Sequence, residues 1–550
     1  MKKLLAIIFL PLVAWATTRN SDGTSTDTQT QINASSDGDV VQLPSGSFTW
    51  TAGVTISGKG ITVQGNGGGR VDGASNSSLA IGTGSKSFTI YKQNNGSGTS
   101  LSSVLTTFTV GETVRATYKA NNTKYMEGTV TSYDGTTLVL NIITTGGSGT
   151  IAAWTLSTAP ITTLVNNLGS TSTMFAITED ATHSVVLGDF AISSGTAAGS
   201  AAAFVTVAPV TNGKPFIWHD ARINNTNNNR IIHSDNSRGL IYKCYWNTGL
   251  NYGTGSIIPG YGLVVKNDSN TTTWNETSRI GTQDTDGLGN FYVEQCYFQG
   301  LEGECFDSDA ASRLVVRNSV FDNSAMTSHG ADTSLIGNRH VQIYDNLVIF
   351  NDLGAETAAL DSFFYIRGGT AVITDNYIPD ITSSYWGNKA EIKTTVQNLQ
   401  RNAGPNPVWG SAVGGVTPGQ YYPAPRQVGR GYITGAGTAG PYTQTTPNSY
   451  TVNGSTDSVT YVGDSEPIYQ WNNAGGGNYA SPTSENYSTP TTDQDSSANY
   501  IQVGRDYING TLSGFTKYQY PSPWRVGGGA VGSGAGVGGT LTLSGNARIN

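Results

Sequence analysis

The sequence predicts an all-β protein, a right-handed parallel β-helix in which short strands wind into a stack of coils. Three observations favour this solenoid. A strand-like segment recurs through the middle of the chain, no stretch of useful length has helical periodicity, and Gly fills 70 of the 550 positions. That Gly content is nearly twice the usual share of about 7%, as expected for many tight turns. Charged residues make up only 12% of the chain, whereas typical globular proteins have about 25%.

The recurring segment alternates its side chains, turns at a small or amide residue and ends on an apolar residue. Its seven copies span residues 185–192, 216–223, 240–246, 291–298, 314–321, 341–348 and 371–378. Their last apolar residues are 31, 23, 52, 23, 27 and 30 positions apart. Repeats of about 20 to 50 residues are typical of solenoids, whereas the rival β-propeller needs blades of about 40 to 45. The long step predicts one hidden coil around residues 262–265.

The position two residues before the end of each copy predicts an internal ladder. It holds Phe190, Ala221, Cys244, Cys296, Ser319, Asn346 and Asn376. Equivalent positions stack about 4.8 Å apart, and stacked amides can bond to one another. With a hidden coil between them, the two cysteines would lie about 9.6 Å apart, beyond the disulfide limit of about 7 Å. We therefore expect Cys244, Cys296 and Cys305 to be free thiols.

The start of the chain adds a family resemblance. Residues 37–50 read DGDVVQLPSGSFTW, and short apolar strands follow at 54–56 and 60–65. This pattern resembles the first coils of pectin-lyase-like proteins, which commonly open with Gly-Asp, two apolar residues and Leu-Pro-x-Gly-x-Phe/Tyr. With the repeats, the resemblance covers roughly residues 30–86 and 158–395. It implies the β-helix fold but no single activity, because the superfamily includes lyases, hydrolases, adhesins and phage tailspikes.

Residues 88–157 interrupt the repeat. They alternate like a meander, with a hairpin turn at Asp134-Gly135. The segment resembles the small β-barrel modules of phage tail and fibre proteins, so we expect an inserted small β-barrel or meander. It either contacts sugars or is purely structural, since exposed solenoid turns tolerate insertions.

The remaining boundaries follow from these segments. N-terminal coils are expected over residues 17–87 and the main β-helix over 158–395. Residues 396–525 are rich in Pro, Gly, Tyr and Trp, and we expect an irregular region that caps or wraps the last coils. Residues 526–550 begin with an almost unbroken run of Gly, Ala, Val and Ser, which indicates a flexible tail.

Residues 1–16 have the pattern of an export signal. Two lysines precede an apolar run, and Ala14-Trp15-Ala16 matches a cleavage site. We expect a secreted or cell-surface protein with no integral membrane segment once the signal is removed. The net charge is −8 and no basic run occurs, which disfavours nucleic acid as a partner.

Acidic, His and Arg residues gather on consecutive repeats between residues 300 and 370. We predict Asp307, Asp309, His329 and Arg367 as catalytic residues and Glu302, Glu304, Arg313, Arg339 and Asp361 as substrate-binding residues. Counted back from the repeat ends, Asp307 shares its offset with Ser334 and Phe364, and Glu302 shares its offset with His329. Asp309 likewise shares its offset with Ile336 and Ile366. Shared offsets predict stacking on one face, provided that loop lengths match.

Such a cluster suits polysaccharide chemistry. Glycoside hydrolysis needs two carboxylates about 5 to 9.5 Å apart, and elimination from a uronate needs a base and charge neutralisation by Arg or Ca²⁺. The motifs of characterised polygalacturonases are missing apart from Ser328-His329-Gly330, a partial match to Gly-His-Gly. Asp and Asn at solenoid turns also bond backbone groups, which is the structural alternative for each residue. No cofactor or metal site is predicted, because no motif supports Ca²⁺.

Two functions are therefore in competition, and a phage-like tailspike is a third possibility that the export signal disfavours. The first is a secreted protein that binds a polysaccharide or cell-surface glycan and cleaves it by lyase or hydrolase chemistry. The second is a non-catalytic adhesive or structural protein, in which the β-helix is a rigid spacer and the insertion binds. Oligomeric state has no signature in the sequence.

Overall fold

Three long parallel sheets run along the molecule in the computed structural model. The residues that the structure describes are 16–69, 71–101, 108–121, 123–158, 161–169, 172–195, 203–224, 231–235, 238–247, 261–266, 287–300, 304–308, 312–328, 338–351, 363–366, 369–379, 392–394, 447–452, 455–460, 466–475, 481–482, 504 and 507–525. The export signal predicted at residues 1–16 lies outside them except for its last residue.

The elements are short, as the alternating repeats predicted. The first part of the chain contains β1 (Thr18–Asn20), α1 (Ser25–Ala34), β2 (Val40–Gln42), β3 (Gly46–Trp50), β4 (Val54–Ile56), β5 (Thr62–Gln64), β6 (Val71–Ser75), β7 (Leu79–Ala80), β8 (Gly84–Thr89), β9 (Thr113–Tyr118), β10 (Tyr125–Tyr133), β11 (Thr137–Gly146), β12 (Thr150–Ile151) and β13 (Trp154–Thr158).

The rest contains β14 (Thr162–Asn166), β15 (Phe175–Thr178), β16 (Val186–Gly188), β17 (Ala191–Ser194), β18 (Val205–Ala208), β19 (Phe216–His219), β20 (Arg222–Asn224), β21 (Ile232–Asp235), β22 (Gly239–Tyr242), β23 (Tyr245–Asn247), β24 (Tyr261–Lys266), β25 (Phe291–Glu294), β26 (Tyr297–Gln299), β27 (Glu304–Ser308), β28 (Arg313–Arg317), β29 (Val320–Asp322), β30 (Met326–Ser328), β31 (His340–Tyr344), β32 (Leu347–Ile349), β33 (Phe364–Ile366), β34 (Thr370–Thr374), β35 (Ile392–Thr394), β36 (Pro447–Val452), β37 (Ser455–Thr460), β38 (Ile468–Trp471), β39 (Ser481–Pro482) and β40 (Tyr507–Asn509).

The strands wind through the sheets in a fixed order. Sheet A is β1-β2-β5-β16-β19-β22-β25-β28-β31-β34-β38-β40, sheet B is β3-β14-β17-β20-β23-β26-β29-β32, and sheet C is β39-β35-β33-β30-β27-β24-β21-β18-β15-β4. From β14 to β34, each strand of sheet B is followed by one of sheet C and then one of sheet A. The predicted right-handed parallel β-helix is confirmed, with the crossover hand that parallel strands favour.

The core lies inside the tube. Inward-pointing side chains of the β-helix strands form one continuous cluster that includes Trp50, Trp218 and Trp246, none of them exposed to solvent. Helix α1 contributes Ile32 to this cluster, and the Thr24 side chain accepts a hydrogen bond from the Asp27 N–H at the N-terminus of α1. The helix thus packs an apolar residue against the first coils.

A left-handed residue follows the sheet A strand in eight coils, and in six of them it leads into a strand of sheet B. These residues are Asp189, Asp220, Lys243, Gln295, Asn318, Asp345, Asp375 and Asn472, with φ between 46° and 57°. Asn and Asp tolerate this conformation better than most residues. The repeated turn stacks one side chain per coil, so residues at this position of successive coils are neighbours.

The predicted ladder is confirmed. Asn346 donates from Nδ2 to Asn376 Oδ1 at 3.0 Å, and Asn376 donates to Asn473 Oδ1 at 3.0 Å. The Asn346 Oδ1 also accepts from the Ser319 N–H at 2.9 Å. Each buried amide therefore forms a hydrogen bond with a residue of the neighbouring coil, as buried polar groups generally do.

The prediction of a hidden coil is wrong. Strands β22 and β25 pair directly, as do β23 and β26, so the 52-residue step holds one coil. Its extra length lies on either side of β24, the sheet C strand of that coil. Cys244 and Cys296 thus occupy adjacent rungs about 4.8 Å apart. All three cysteines are nonetheless free and buried. In-register Cβ atoms near that spacing exceed the about 3.5–4.5 Å of a disulfide.

The insertion interrupts the turn between β5 and β14. Its six-stranded sheet has the order β6-β13-β9-β10-β11-β8, and a bridge between Ser75 and Ile90 joins the two edges. Its strands begin at Val71, within residues that the sequence analysis assigned to N-terminal coils. The module has its own core around Trp154. We call residues 71–158 the inserted module.

The inserted module packs on the outer face of sheet B. Lys119 lies 2.7 Å from Asp322, and neither side chain is exposed. Thr155 bonds to Gln299 Oε1 at 3.1 Å, and Tyr245 donates to the same oxygen at 2.6 Å. This face of the β-helix is therefore covered.

The C-terminal part adds strands to the stack and covers sheet A. Strands β38 and β40 extend sheet A, and β39 extends sheet C. We call residues 507–525 the C-terminal strap. Its Tyr518 and Trp524 pack on the apolar outer row of sheet A. No helix among the described residues has the length and apolar character needed to span a membrane.

Candidate functional site

The predicted site lies where sheet C passes into sheet A over three consecutive coils. We call this place the C–A corner, formed by the ends of β27, β30 and β33 and the starts of β28, β31 and β34. Ser308, Ser328 and Ile366 are paired in register at the ends of the sheet C strands. Neighbouring strands bring these positions within about 4.8 Å per coil.

The structure describes four of the nine predicted residues, and Glu304, as the first residue of β27, lies at the opposite end of that strand from the corner. Glu304 and Asp307 lie in β27, and Arg313 and Arg339 are described with their side chains. Those outside the described residues are Glu302, Asp309, His329, Asp361 and Arg367. Three of these, Asp309, His329 and Arg367, directly follow in sequence the in-register residues Ser308, Ser328 and Ile366.

The stacking expected from shared offsets is wrong for Asp307, while Glu302, Asp309 and His329 lie outside the described residues. Asp307 pairs with Thr327, which pairs with Tyr365, rather than aligning with Ser334 and Phe364. The offsets were counted back from the end of each repeat across the connection from sheet C to sheet A. The length of this connection differs between coils. Four residues (309–312) link β27 to β28, eleven (329–339) link β30 to β31, and three (367–369) link β33 to β34.

Three polar side chains start the sheet A strands of the corner. Arg313, His340 and Thr370 are paired in register and are 4%, 1% and 1% exposed. His340 bonds through Nδ1 to the Thr370 hydroxyl and through Nε2 to Gln342. Burial, and then the charges of Arg313 and Arg339, hold the pKa of His340 well below 6.5. His340 is therefore neutral at pH 7.

Arg339 forms an ion pair across the next coil. Its Nη1 and Nη2 donate to the two carboxylate oxygens of Glu466 at 2.9 and 3.0 Å. Gly369 lies between them in the stack. A Cβ at Gly369 would come within 2.0 Å of the Asn338 carbonyl oxygen, so only glycine fits there. The two-point contact ties Arg339 to residues that precede β38.

The corner has the ingredients of an anion-binding surface. Arg313 and Arg339 place guanidinium groups just beneath it, and Arg339 pairs with the Glu466 carboxylate. Both guanidinium groups lie below the surface, so they act on a ligand through their field more than by direct contact. Such a field attracts acidic ligands.

Sequence reasoning missed a different cluster. Asp189, His219 and Asp220 lie at the turn between sheets A and B, with one ligand atom of each within 4.8 Å of the others. A second trio of the same composition, Asp37, Asp180 and His183, is more exposed. Alignment of the first two repeat copies would have shown Asp189 and Asp220 at the same position, but nothing local distinguishes them from turn residues.

Comparisons with known proteins add little. No family model matches the chain, and no curated protein matches it. Among solved structures, the tailspike gp61 of Pseudomonas phage phi297 is 12% identical, with 68% of this chain and 76% of that chain covered and a TM-score of 0.18. The tailspike gp49 of Pseudomonas phage LKA1 is 9% identical, with the same coverage and TM-score. The Gp54 tailspike of the Acinetobacter baumannii bacteriophage AP22, solved in complex with A. baumannii capsular saccharide, is 8% identical, with 68% and 70% covered and a TM-score of 0.16. Scores this low carry no argument about function.

Proposed function

We propose that the protein binds a polysaccharide at the C–A corner. The observation that supports this is the register of β27, β30 and β33, which aligns three strand ends just before Asp309, His329 and Arg367. Sheet B is covered by the inserted module and part of sheet A by the C-terminal strap, whereas the predicted charged residues Asp309, His329 and Arg367 follow the ends of sheet C strands in sequence. Solenoids offer such extended surfaces to long ligands.

An acidic polysaccharide is the favoured ligand. Arg313 and Arg339 lie beneath the corner, and a buried positive charge strengthens attraction to carboxylates. Arg367 would contact the ligand directly. We propose that Asp307 and Asp309, with His329, supply acid and base groups for cleavage, by hydrolysis or by elimination. Glu304 begins β27, about 13 Å along the strand from Ser308, and Glu302 and Asp361 precede β27 and β33 in sequence. We propose that these three residues contact the part of a long ligand that extends beyond the corner across sheet C.

The test is a panel of acidic and neutral glycans incubated with the purified full chain. Binding is measured by calorimetry, and cleavage by reducing ends and by the absorbance of unsaturated products. Arg367→Gln should weaken binding at least tenfold, and Asp309→Asn should abolish cleavage while leaving binding nearly intact. Asp134→Asn is the matched control, because Asp134 is an exposed carboxylate of the inserted module. Binding to no glycan, or equal losses in the control, would contradict the proposal.

We also propose assignment to the pectin-lyase-like superfamily and export through residues 1–16. The opening pattern of residues 37–65 and the coils of three strands support the first. The leader pattern supports the second. Expression of the full chain with N-terminal sequencing of the secreted form tests export, with Thr17 expected as the first residue.

Surface adhesion through the inserted module is the second candidate. Val110 and Ile143 of this module are 67% and 63% exposed, unusually high for apolar residues, and exposed apolar residues can mark contact sites. The resemblance to phage tail modules points the same way. Val110→Ser with Ile143→Ser should abolish attachment to cells if adhesion is the function, and should leave glycan binding at the corner unchanged.

A further inference from the structure

We infer that Asp189, His219 and Asp220 bind one divalent transition-metal ion of the Zn²⁺ class. The three residues sit on two successive coils, at the turn from sheet A to sheet B. The site is separate from the C–A corner, so it goes beyond the proposed function. One imidazole nitrogen and two carboxylate oxygens form a donor set that such ions accept.

The distances fit a single ion. His219 Nδ1 lies 3.1 Å from Asp220 Oδ2. Two ligands of a tetrahedral Zn²⁺, each about 2.0–2.1 Å from the metal, lie about 3.3 Å apart. The nearest ligand atoms of all three residues lie within 4.8 Å of one another. Binding would draw these atoms closer, to about 3.3 Å from one another.

The imidazole is held in place before any ion arrives. His219 is 7% exposed and stacks on Tyr242, with ring centroids 5.1 Å apart and planes 19° apart. Its other face lies over Gly188, where a Cβ would come within 2.5 Å of His219 Cε1 and Nε2. Gly188 therefore creates the space for the ring. A ligand fixed by packing loses little entropy on binding.

The backbone of both carboxylates is also fixed. Asp189 and Asp220 adopt the left-handed conformation on adjacent rungs. The Asp189 carbonyl accepts a hydrogen bond from the Gly67 N–H at 2.8 Å, and the Asp189 N–H donates to the His219 carbonyl at 3.3 Å. The carboxylates thus start from rigid, neighbouring positions.

The same turn position in later coils holds two stacked carboxylates with a cation between them. Asp345 and Asp375 also occupy adjacent rungs of this turn. Lys517 of the C-terminal strap bridges them, with Nζ 2.9 Å from Asp345 and 2.7 Å from Asp375. A cation therefore links the carboxylates there. At the earlier pair, the His219 imidazole lies beside the Asp220 carboxylate, and neutral imidazole is a metal ligand.

A bound ion would link two coils through side chains, in the way that Lys517 links two later ones. Three protein ligands leave the fourth position of a tetrahedral ion to water or to a ligand oxygen. The ion would also stabilise the folded chain, since it binds the assembled turn and not the unfolded one.

The experiment titrates metal-free full-length protein with Zn²⁺ alone by calorimetry and records the visible absorption of Co²⁺ in its place. The expected result is one ion per chain, with affinity at least tenfold weaker in His219→Gln and in Asp220→Asn. Four-coordinate Co²⁺ should give an intense visible band that His219→Gln removes. Zn²⁺ should raise the thermal midpoint of the wild-type protein more than that of His219→Gln or Asp220→Asn.

His183→Gln is the matched control, because it alters the exposed trio of the same composition. It should leave the first Zn²⁺ site intact. Circular dichroism in the presence of a chelator checks that the variants fold. If His219→Gln does not fold, Asp220→Asn alone tests the site. The inference is overturned if the wild-type protein binds no Zn²⁺, if both variants bind as tightly as wild type, or if only His183→Gln abolishes binding. Its failure would leave the glycan assays at the corner unaffected.

Discussion

Replacing Glu294 by Gln should release the C-terminal strap. Glu294 is fully buried on the outer face of sheet A. Its carboxylate accepts from Arg317 Nε at 2.8 Å, from Arg525 Nε and Nη2 at 3.0 and 2.8 Å, and from the Ser522 N–H at 3.2 Å. Arg317 in turn donates to the backbone carbonyls of Tyr518 and Gln519.

The expected cost is large because two guanidinium groups lose their counter-charge. Removing one partner of a buried ion pair costs about 3–5 kcal/mol. Solenoids unfold locally, so a single global unfolding energy is a poor measure. Native-state hydrogen exchange is the better assay. Amides of residues 507–525 should exchange at least a hundredfold faster in Glu294→Gln, since about 2.7 kcal/mol corresponds to that factor.

The control is Lys517→Met, which removes the two partly exposed ion pairs of Lys517 with Asp345 and Asp375 in the same strap. Partly exposed pairs contribute less than fully buried ones, so exchange should rise less than it does in Glu294→Gln. If Glu294→Gln changes exchange no more than Lys517→Met does, the reasoning about the buried cluster fails.

Three further outcomes are expected. Asn376→Leu should lower the free energy of unfolding by about 3 kcal/mol, because neighbouring ladder amides lose their hydrogen-bond partners. An unchanged midpoint of urea unfolding would refute the stabilising role of the ladder. Lys119→Met should destabilise the packing of the inserted module by about 3–5 kcal/mol, because Asp322 stays buried without its cation. The double variant with Asp322→Leu should recover part of this loss. Limited proteolysis of the inserted module measures both effects. The pKa of His340 is held well below 6.5 by burial and by two arginines, so only the unfolded chain takes up its proton as pH drops below 6.5. His340 should therefore leave the free energy of unfolding unchanged above pH 6.5. Below pH 6.5, its contribution should lower the free energy of unfolding by up to about 1.4 kcal/mol per pH unit, until the pH reaches the lowered pKa. His340→Gln should remove that part of the pH dependence, and an identical acid profile would contradict the assignment.

The coil architecture was predictable because its signals are local. Alternation within each repeat copy marks a strand, and the small or amide residue before its end marks the turn and the ladder. Asn346 and Asn376 share a position in their copies, so their stacking followed from the sequence. Hydrogen bonds between those side chains confirm it.

Other features had no local signal. The count of coils between Trp246 and Phe298 failed because loop length and coil length look alike in sequence. The offsets of Asp307 failed for the same reason, since the connections between sheets C and A differ in length. The pairs Lys119–Asp322 and Arg339–Glu466 join residues 203 and 127 positions apart. Only the packing of the inserted module and of β38 on the stack brings such pairs together.

The central proposal is that a glycan lies along the C–A corner. Hydrogen exchange of the full chain with and without the best glycan of the panel measures this directly. We predict slower exchange in peptides covering β27–β28, β30–β31 and β33–β34, with the inserted module unchanged. Protection confined to residues 71–158 would contradict the account and favour adhesion through that module.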